Sequence, residues 1–269
     1  MRVELGLLAR ARGVRLLALE SVDSTNDEAR RLIEAGERGP LWVVAARQTR
    51  GHGRLGREWI SPADNLHASF VLSDFGETAI APQLGFVAGV AALRALRAAM
   101  GEAARFALKW PNDLLLDGAK LGGILLENVG APTGDARAPR ASVAIIGIGV
   151  NCVEAPRDLP FEARALTSIG PNAPNAAKLF THLSDALVET LDLWAGGEGF
   201  ARIRDAWLKD AAYLGANIRV ELPRETVEGR FETLDATGRL VLATREGERV
   251  IEAGDVSLGP RQTAAGGVA

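Results

Sequence analysis

The chain of 269 residues is long enough for one or two domains with a buried core. Its hydrophobic content of 47% and charged content of 24% are ordinary globular values, and a net charge of −3 argues against a dedicated nucleic-acid binder. The single cysteine, Cys152, excludes an intramolecular disulfide. The sequence shows neither a secretory signal nor a run of about eighteen apolar residues, so we expect a soluble cytoplasmic protein.

The first predicted strand, residues 15–20, leads into a run of short polar side chains. Thr25 with Glu28 three residues later fits a capping box, which predicts a helix start. A plain helix start is sufficient to explain this pattern. The hydroxyl and amide groups of Ser24, Thr25 and Asn26 could also hydrogen-bond a small polar ligand.

A loop rich in glycine and arginine, residues 48–59, follows an apolar run, residues 41–46, that predicts a buried strand. The loop contains three glycines, three arginines and His52. Glycine lets the backbone approach a ligand closely, and arginine offers a planar fork of donors to a carboxylate or phosphate. The loop therefore suits an anion, although a solvated surface loop is the plain alternative.

One pattern within this loop is misleading. Residues 51–56 match G-x-G-x-x-G, which in a dinucleotide site opens a helix whose N-terminus faces the pyrophosphate. The residues that follow contain Pro62 and no apolar period of 3.6, so no helix is predicted there. We therefore exclude a Rossmann-type site.

Strand, helix and hairpin signals follow the loop. Residues 66–72 predict a strand, Pro82 opens a helix that runs to about residue 100, and residues 105–108 predict another strand. Asp117-Gly118 lies between two apolar runs, which predicts a β-hairpin.

The segment that precedes this hairpin, Lys109-Trp110-Pro111-Asn112-Asp113, is unusual for a strand end. Proline cannot donate to a ladder, so the strand must stop there, which leaves polar side chains at a strand terminus where they can reach a ligand. A turn with hydrogen-bonded Asn and Asp is the alternative. The chain has only four lysines (Lys109, Lys120, Lys178, Lys209). Two of them lie in this region, one beside Gly122-Gly123, which weakens the interpretation that they are merely solvated charges.

After the hairpin the chain is predicted to continue with a loop, a strand, two helices and a run of short strands. Residues 130–140 predict a mobile connection, and residues 142–146 predict a buried strand that ends in Gly147-Ile148-Gly149-Val150-Asn151, where a tight turn is the plain interpretation. Two helices are predicted next, at residues 175–194 and 199–214. Short alternating strands then indicate a small barrel, at residues 218–221, 226–234, 239–243 and 249–251. The domain boundary is therefore expected near residue 213.

Five motifs, taken in order and spacing, resemble those of the biotin protein ligases. They are residues 23–26, 48–59, 109–113, 120–125 and 147–151, and the resemblance covers about residues 15–260. The resemblance implies an α/β (α+β) fold with a mixed central sheet, flanking helices and a small C-terminal SH3-like β-barrel. It implies a catalytic domain that binds biotin and ATP over residues 1–213, an SH3-like domain over residues 214–260 and a disordered tail over residues 261–269.

The implied reaction has two steps. The biotin carboxylate attacks the α-phosphate of ATP to form biotinyl-5′-AMP, and a lysine of a biotin carboxyl carrier protein then takes the biotinyl group. ATP with Mg²⁺ on its phosphates is implied, with no metal held by the protein itself. We expect a monomer or homodimer that binds neither DNA nor a membrane, because the catalytic domain begins too early to leave room for a helix-turn-helix domain.

The resemblance also implies roles for individual residues. Those expected in catalysis are Lys120, Arg54, Arg57 and Asp113. Those expected to bind biotin are Ser24, Thr25, Asn26, Gln48, Gly51, His52, Arg54, His67, Lys120, Gly122, Gly123 and Gly147. Those expected to bind the nucleotide are Arg54, Arg57, Trp59, Asn112, Lys120, Gly149 and Asn151.

Two residues depart from the commoner family pattern. His52 stands where many relatives have arginine, and His67 stands where an aromatic residue is often found. Two other functions remain open at this stage. A lipoate protein ligase would share the fold and the adenylate chemistry, and a regulator could bind biotinyl-adenylate without transferring it.

Overall fold

The computed structural model describes residues 2–73, 75–101, 104–131, 141–157 and 159–258. The helices are α1 (Leu7–Ala11), α2 (Thr25–Glu34), α3 (Gln83–Met100), α4 (Ala176–Trp194) and α5 (Phe200–Lys209). The first seven strands are β1 (Arg15–Leu19), β2 (Leu41–Ala45), β3 (Leu66–Ser73), β4 (Phe106–Lys109), β5 (Asp113–Leu116), β6 (Ala119–Ala131) and β7 (Ala141–Val150). The remaining strands are β8 (Asn217–Glu221), β9 (Thr226–Leu234), β10 (Leu240–Thr244), β11 (Gly247–Ile251) and β12 (Asp255–Leu258).

Strands β1 to β7 form one mixed sheet in the order β1-β2-β3-β7-β6-β5-β4. The β1–β2 pair is parallel, and the other pairs are antiparallel. Helices α3 and α4 pack on one face, whereas α2 covers part of the opposite face through Ala29 and Ile33. Strand β2 is buried along its whole length because both of its faces are covered. The predicted mixed α/β architecture is confirmed.

Helix α3 is an apolar helix that belongs to the protein core. It is long and apolar enough by composition to cross a membrane, but 61% of that stretch is buried inside the fold. The apolar residues that recur along this helix at helical spacing are all buried (Leu84, Val87, Val90, Leu93, Leu96). Its apolar surface is therefore used within the protein core.

The C-terminal strands form a second, fully antiparallel sheet in the order β11-β10-β9-β8-β12. The sequence did not predict β12, which pairs with β8 at one edge of this sheet. Trp110 links the two sheets, since its Nε1 donates a hydrogen bond to the Gly238 carbonyl oxygen at 3.2 Å. The second sheet therefore packs close to the hairpin that joins β4 and β5.

Several sequence predictions of local structure are corrected. The N-cap of α2 is Ser24 rather than Thr25, because the Thr25 hydroxyl and N–H are engaged elsewhere. Helix α5 ends at Lys209 instead of continuing to residue 214, because the following backbone pairs with β4, where Leu108 N donates to Asp210 O and Ala212 N donates to Leu108 O. Gly147 and Gly149 lie inside β7 rather than in a turn.

Two predicted mobile regions receive no structural description. Of the predicted connection at residues 130–140, the first two residues continue β6 and the rest lie outside the described residues. The predicted tail at residues 261–269 also lies outside them.

Candidate active site

A cavity of about 790 Å³ lies on the sheet face that α2 covers, just beyond the N-terminus of that helix. Its floor is formed by Gly123 of β6 with Gly147 and Gly149 of β7. Residues two apart on a strand point to the same face, so these glycines leave a stretch of sheet without side chains. The absence of side chains is what opens the cavity directly onto the backbone.

One side of the cavity is a polar wall, which we define as Ser24, Thr25, Asn26, Gln48 and Ser69. Ser24, Thr25 and Asn26 come from the start of α2, Gln48 from the segment after β2, and Ser69 from β3 behind the cavity. All but Gln48 are nearly fully buried. Buried polar groups need partners. Thr25, Asn26, Gln48 and Ser69 find them largely in one another, whereas Ser24 bonds to Asp23 and Asp27.

The hydrogen bonds of four members of the polar wall, Thr25, Asn26, Gln48 and Ser69, form one continuous chain. Thr25 N donates to Gln48 Oε1 at 2.7 Å, and Gln48 Nε2 donates to Ser61 Oγ at 2.9 Å. Ser69 Oγ lies 2.7 Å from Thr25 Oγ1 and 2.6 Å from Asn26 Oδ1. The wall is therefore preorganised before any ligand binds.

The opposite side is a charged wall, which we define as Lys109, Asp113, Lys120, Arg54 and Arg57. Asp113 Oδ1 lies 2.7 Å from Lys120 Nζ, and Asp113 Oδ2 lies 3.3 Å from Lys109 Nζ. The Asp113 side chain is only 11% exposed, so its charge needs these partners. The β5–β6 pairing places the carboxylate and the Lys120 ammonium next to each other.

The arginines of the charged wall come from the glycine–arginine loop. Arg54 Nη1 donates to Asn112 Oδ1 at 3.1 Å, and Arg57 forms an ion pair with Asp255 of β12. The hydrogen bond with Asp255 raises the pKa of Arg57, so this guanidinium stays charged. The loop thus connects the first sheet to the second across the mouth of the cavity.

Trp59 lies on the glycine floor. A Cβ atom added to Gly149 would lie 2.7 Å from the indole, whereas one added to Gly123 would lie at 3.5 Å, which is ordinary contact. Lys120 Nζ is 5.8 Å from the Trp59 ring centroid and 5.4 Å from that of Phe161. An aromatic surface therefore lies directly beside the lysine of the charged wall.

The two histidines of the cavity differ in environment. His52 Nδ1 lies 3.8 Å from Asp27 Oδ2 at the rim. His67 is 2% exposed, and burial lowers its pKa, although its hydrogen bond from Nε2 to Pro62 O at 3.1 Å opposes this shift. His67 is therefore neutral near pH 7, which fixes a neutral ring in the cavity wall.

The cavity brings together nearly all residues that the sequence singled out. Those that line it are Ser24, Thr25, Asn26, Gln48, His52, Arg54, Arg57, Trp59, His67, Asn112, Asp113, Lys120, Gly123, Gly147, Gly149 and Asn151. Gly51 and Gly122 do not line it. An added Cβ at Gly51 would meet Ser61 Oγ at 2.6 Å, so this glycine lets the loop pack closely on itself. An added Cβ at Gly122 would meet Gly149 O at 2.5 Å, so this glycine lets β6 pack closely against β7.

The sequence missed three contributors to the cavity. Lys109 was noted within its motif but given no role, although it contacts Asp113 and donates to Val256 O at 3.2 Å. Pro156, residues 159–163 and strand β12 also line the cavity. Only the motif around Lys109 carried a local signal, because the other two reach the site through long-range packing.

Family comparisons agree with this geometry. Residues 18–151 match the model described as the biotin/lipoate A/B protein ligase family, and residues 213–259 match the biotin protein ligase C-terminal domain. A biotin–[acetyl-CoA-carboxylase] ligase of Paracoccus denitrificans is 39% identical over 245 residues, which cover 90% of this chain and 99% of that protein. The chain belongs to the biotin protein ligase family.

Other members of the biotin protein ligase family give the same picture. The bifunctional ligase/repressor BirA of Bacillus subtilis is 30% identical over 96% of this chain and 78% of its own length. The structure of the Aquifex aeolicus biotin protein ligase in complex with biotin and ATP superposes with a TM-score of 0.75 and 29% identity, over 90% of this chain and 97% of that one. The family resemblance noted in the sequence is confirmed.

ATP commonly binds together with a metal ion, which some proteins hold with their own side chains. Among the residues that the structure describes, no group of three or more His, Cys, Asp or Glu side chains is arranged to hold a metal ion. The cations that line the cavity are instead lysines and arginines. The donor set fits phosphate oxygens better than it fits a resident metal.

Proposed function

We propose that this protein joins biotin to ATP and transfers the biotinyl group to a lysine of a biotin carboxyl carrier protein. The observation that carries the proposal is the cavity with two unlike walls. A hydrogen-bonding polar wall and a cationic charged wall face one another across a glycine floor. Such a site suits a molecule with a neutral polar head and a carboxylate tail that must meet a phosphate.

In the first step, a biotin carboxylate oxygen attacks the α-phosphorus of ATP, the bond to the bridging oxygen breaks, and pyrophosphate leaves. Two anions must approach each other, so fixed cations at that point lower the barrier. We assign this role to Lys120, with Arg54 and Arg57 holding phosphates. Lys120 is already held in place by Asp113 at 2.7 Å, and its ion pair is exchanged for the carboxylate and α-phosphate.

In the second step, the acceptor lysine's neutral amine attacks the biotinyl carbonyl carbon, and AMP leaves with the electron pair of the broken bond. The amine must lose a proton to form the amide. Asp113 is the carboxylate that lines the cavity beside Lys120, and we assign to it the uptake of that proton. Release of Lys120 to the phosphate frees one oxygen of Asp113 for this purpose.

Each end of the adenylate is assigned to one part of the cavity. The polar wall and His52 would bind the ureido ring of biotin, and His67 would border it. Trp59 would cover the adenine, while Asn112 and Asn151 would contact the nucleotide. Both asparagines are already oriented, since Asn112 Nδ2 donates to Ile124 O at 2.9 Å and Asn151 Nδ2 donates to Arg164 O at 3.2 Å.

Further assignments belong to the same proposal. Mg²⁺ would accompany the ATP phosphates, where it neutralises charge. The catalytic domain would comprise residues 1–213 and the SH3-like domain residues 214–260. The protein would act in the cytoplasm as a monomer or homodimer, with a carrier protein as its macromolecular partner and without binding DNA.

Biotin-dependent exchange of pyrophosphate into ATP tests the first step, with lipoate and octanoate as competing substrates in parallel. We expect exchange with biotin only. Exchange driven only by the fatty acids would indicate a lipoate-type ligase and overturn the proposal. Transfer to a carrier domain tests the second step, and a DNA gel-shift at moderate salt tests whether the protein is a regulator instead.

A further inference from the structure

Glu127 of β6 is a charged side chain directly behind the polar wall. It does not line the cavity, and its side chain is 23% exposed. Its Oε1 accepts a hydrogen bond from Arg30 Nη2 at 2.7 Å, and its Oε2 accepts one from Asn26 Nδ2 at 2.7 Å. We propose that Glu127 is a positioning residue that determines which groups of the polar wall donate hydrogen bonds and which accept them. This inference rests on the proposed function, in which the polar wall binds the ureido ring of biotin.

The direction of each hydrogen bond, and so the order of donors and acceptors, follows from which groups can donate a proton and which can only accept one. A carboxylate only accepts, so Asn26 turns its NH₂ group toward Glu127 and its oxygen toward β3. That oxygen lies 2.6 Å from Ser69 Oγ, so Ser69 must donate to it. Ser69 has one proton, so in its 2.7 Å contact with Thr25 Oγ1 it is Thr25 that donates. Gln48 Oε1 also lies 3.0 Å from Thr25 Oγ1, but it already accepts the Thr25 N–H at 2.7 Å, so the Thr25 proton goes to the shorter contact with Ser69, which has no other proton.

This order determines what the cavity offers to a ligand. The Thr25 proton is directed at Ser69, which does not line the cavity, so the Thr25 hydroxyl presents lone pairs toward the cavity. Lone pairs suit an N–H donor, which a cyclic urea has on both sides of its carbonyl. Glu127 therefore selects a ligand that donates at this point, although it contacts none.

Glu127→Gln is the decisive substitution because it reverses this order without removing atoms. Arg30 is a charged donor and keeps the oxygen of the introduced glutamine. The NH₂ group of that glutamine then faces Asn26, which must flip and offer its own NH₂ group to Ser69. Ser69 then donates to Thr25, and the Thr25 hydroxyl becomes a donor toward Gln48 or the cavity.

The same logic predicts a rescue. In the double variant Arg30→Met/Glu127→Gln, no guanidinium holds the introduced oxygen, so that oxygen can turn to Asn26 and restore the original order. Glu37→Gln is the matched control. Glu37 has a similar side-chain exposure of 18% and also pairs with one arginine, Arg15, but it does not line or border the polar wall.

The experiment compares KM for biotin, KM for ATP, kcat and Tm in pyrophosphate exchange for the wild type and these variants. Glu127→Gln should raise KM for biotin by roughly tenfold or more, the usual consequence of a mismatched buried hydrogen bond, while KM for ATP and Tm stay close to wild type. The double variant should recover most of that loss. Arg30→Met and Glu37→Gln should leave KM for biotin nearly unchanged.

Three results would overturn the inference. They are an unchanged KM for biotin in Glu127→Gln, a double variant as impaired as the single one, and a change in all kinetic constants together with Tm. If the wild type shows no biotin-dependent exchange, the proposed function fails instead. The side-chain amide resonance of Asn26 then tests the positioning alone, since it should shift in Glu127→Gln and return in the double variant. A resonance that does not move would refute it.

Discussion

The two walls of the cavity differ in how their polar groups are held, by hydrogen bonds in the polar wall and by ion pairs in the charged wall. In the polar wall, Thr25, Gln48 and Ser69 bond to one another through neutral groups and Asn26 is held between Ser69 and Glu127, so the geometry is fixed before a ligand binds. The charged wall instead holds Lys120 and Lys109 in ion pairs with Asp113, and Arg57 in an ion pair with Asp255. The polar wall is suited to recognition, whereas the charged wall keeps its cations in place with partners that can be exchanged for an anionic substrate.

Loss of a cation from the charged wall should have the largest effect. Lys120→Ala should lower adenylate formation by roughly a hundred- to a thousandfold, since a preorganised donor at a developing charge is removed. Its fold should persist, because Asp113 keeps Lys109 as a partner at 3.3 Å. Pyrophosphate exchange and Tm measure the two effects.

Lys178→Ala, at an exposed position on α4, is the matched lysine control and should keep wild-type exchange. Wild-type exchange in Lys120→Ala as well would remove Lys120 from the mechanism. A loss of activity that follows a fall in Tm would make it a structural lysine.

The glycine floor between the walls offers a graded test of Trp59. Trp59→Ala should weaken nucleotide binding by about 1–3 kcal/mol, the usual worth of a base–aromatic stack. Gly149→Ala should have a similar effect, because its added carbon lies 2.7 Å from the indole and displaces it. Titration with ATP or a non-hydrolysable adenylate analogue, followed by isothermal titration calorimetry, measures both.

The opposite glycine provides the control. Gly123→Ala places its carbon 3.5 Å from the same indole, in ordinary contact, so nucleotide affinity should change little. Equal affinities in the wild type, Trp59→Ala and Gly149→Ala would leave Trp59 as an ordinary packing residue.

The glycine–arginine loop that supplies the charged wall should be sensitive to trypsin in the free protein and protected by biotin plus ATP. Three glycines make the loop costly to fix, and a bound anion relieves repulsion among its arginines. Asp255→Asn removes the partner of Arg57 and should raise ligand-free cleavage after Arg57 by a few-fold, in keeping with about 1 kcal/mol or less for an exposed pair. Gel analysis of the fragments distinguishes the sites.

Cleavage after Arg50 serves as the internal control, since its side chain is 80% exposed and does not contact Asp255. Identical cleavage with and without ligands would show that the loop is preformed, and closure would then play no part in the mechanism.

The smallest effect concerns pH at the edge of the polar wall. The hydrogen bond from Arg31 holds the pKa of Asp23 well below its usual range, and Asp23 also accepts a hydrogen bond from Ser24 N at 2.8 Å. A lowered carboxyl pKa contributes stability that is fully present above the ordinary value of about 3.9 and is lost as pH falls below it. Because the site is partly exposed, we expect a contribution of about 1 kcal/mol or less.

Thermal unfolding between pH 7 and pH 3 measures this contribution. The stability difference between the wild type and Asp23→Asn should shrink as pH falls through that window. A difference that stays constant with pH would contradict the assignment to Asp23.

The sequence alone determined the elements and the motifs of this protein. The buried run of β2, the apolar stripe of α3 and the Asp117-Gly118 turn are local patterns, and each became the predicted element. The order of the five motifs identified the family for the same reason, because residue type and spacing are read directly. The division into domains at residue 213 and the residue roles at the site stay predictions.

Tertiary structure decided which partner each polar group has. Ser24 caps α2 because Thr25 is occupied by Gln48, in the segment after β2, and by Ser69 of β3. Strand β12 exists because β8 pairs with it, and Asp255 reaches Arg57 across 198 residues of chain. Hydrogen bonds and ion pairs between distant segments have no local pattern, so only the folded chain could show that Glu127 borders the site.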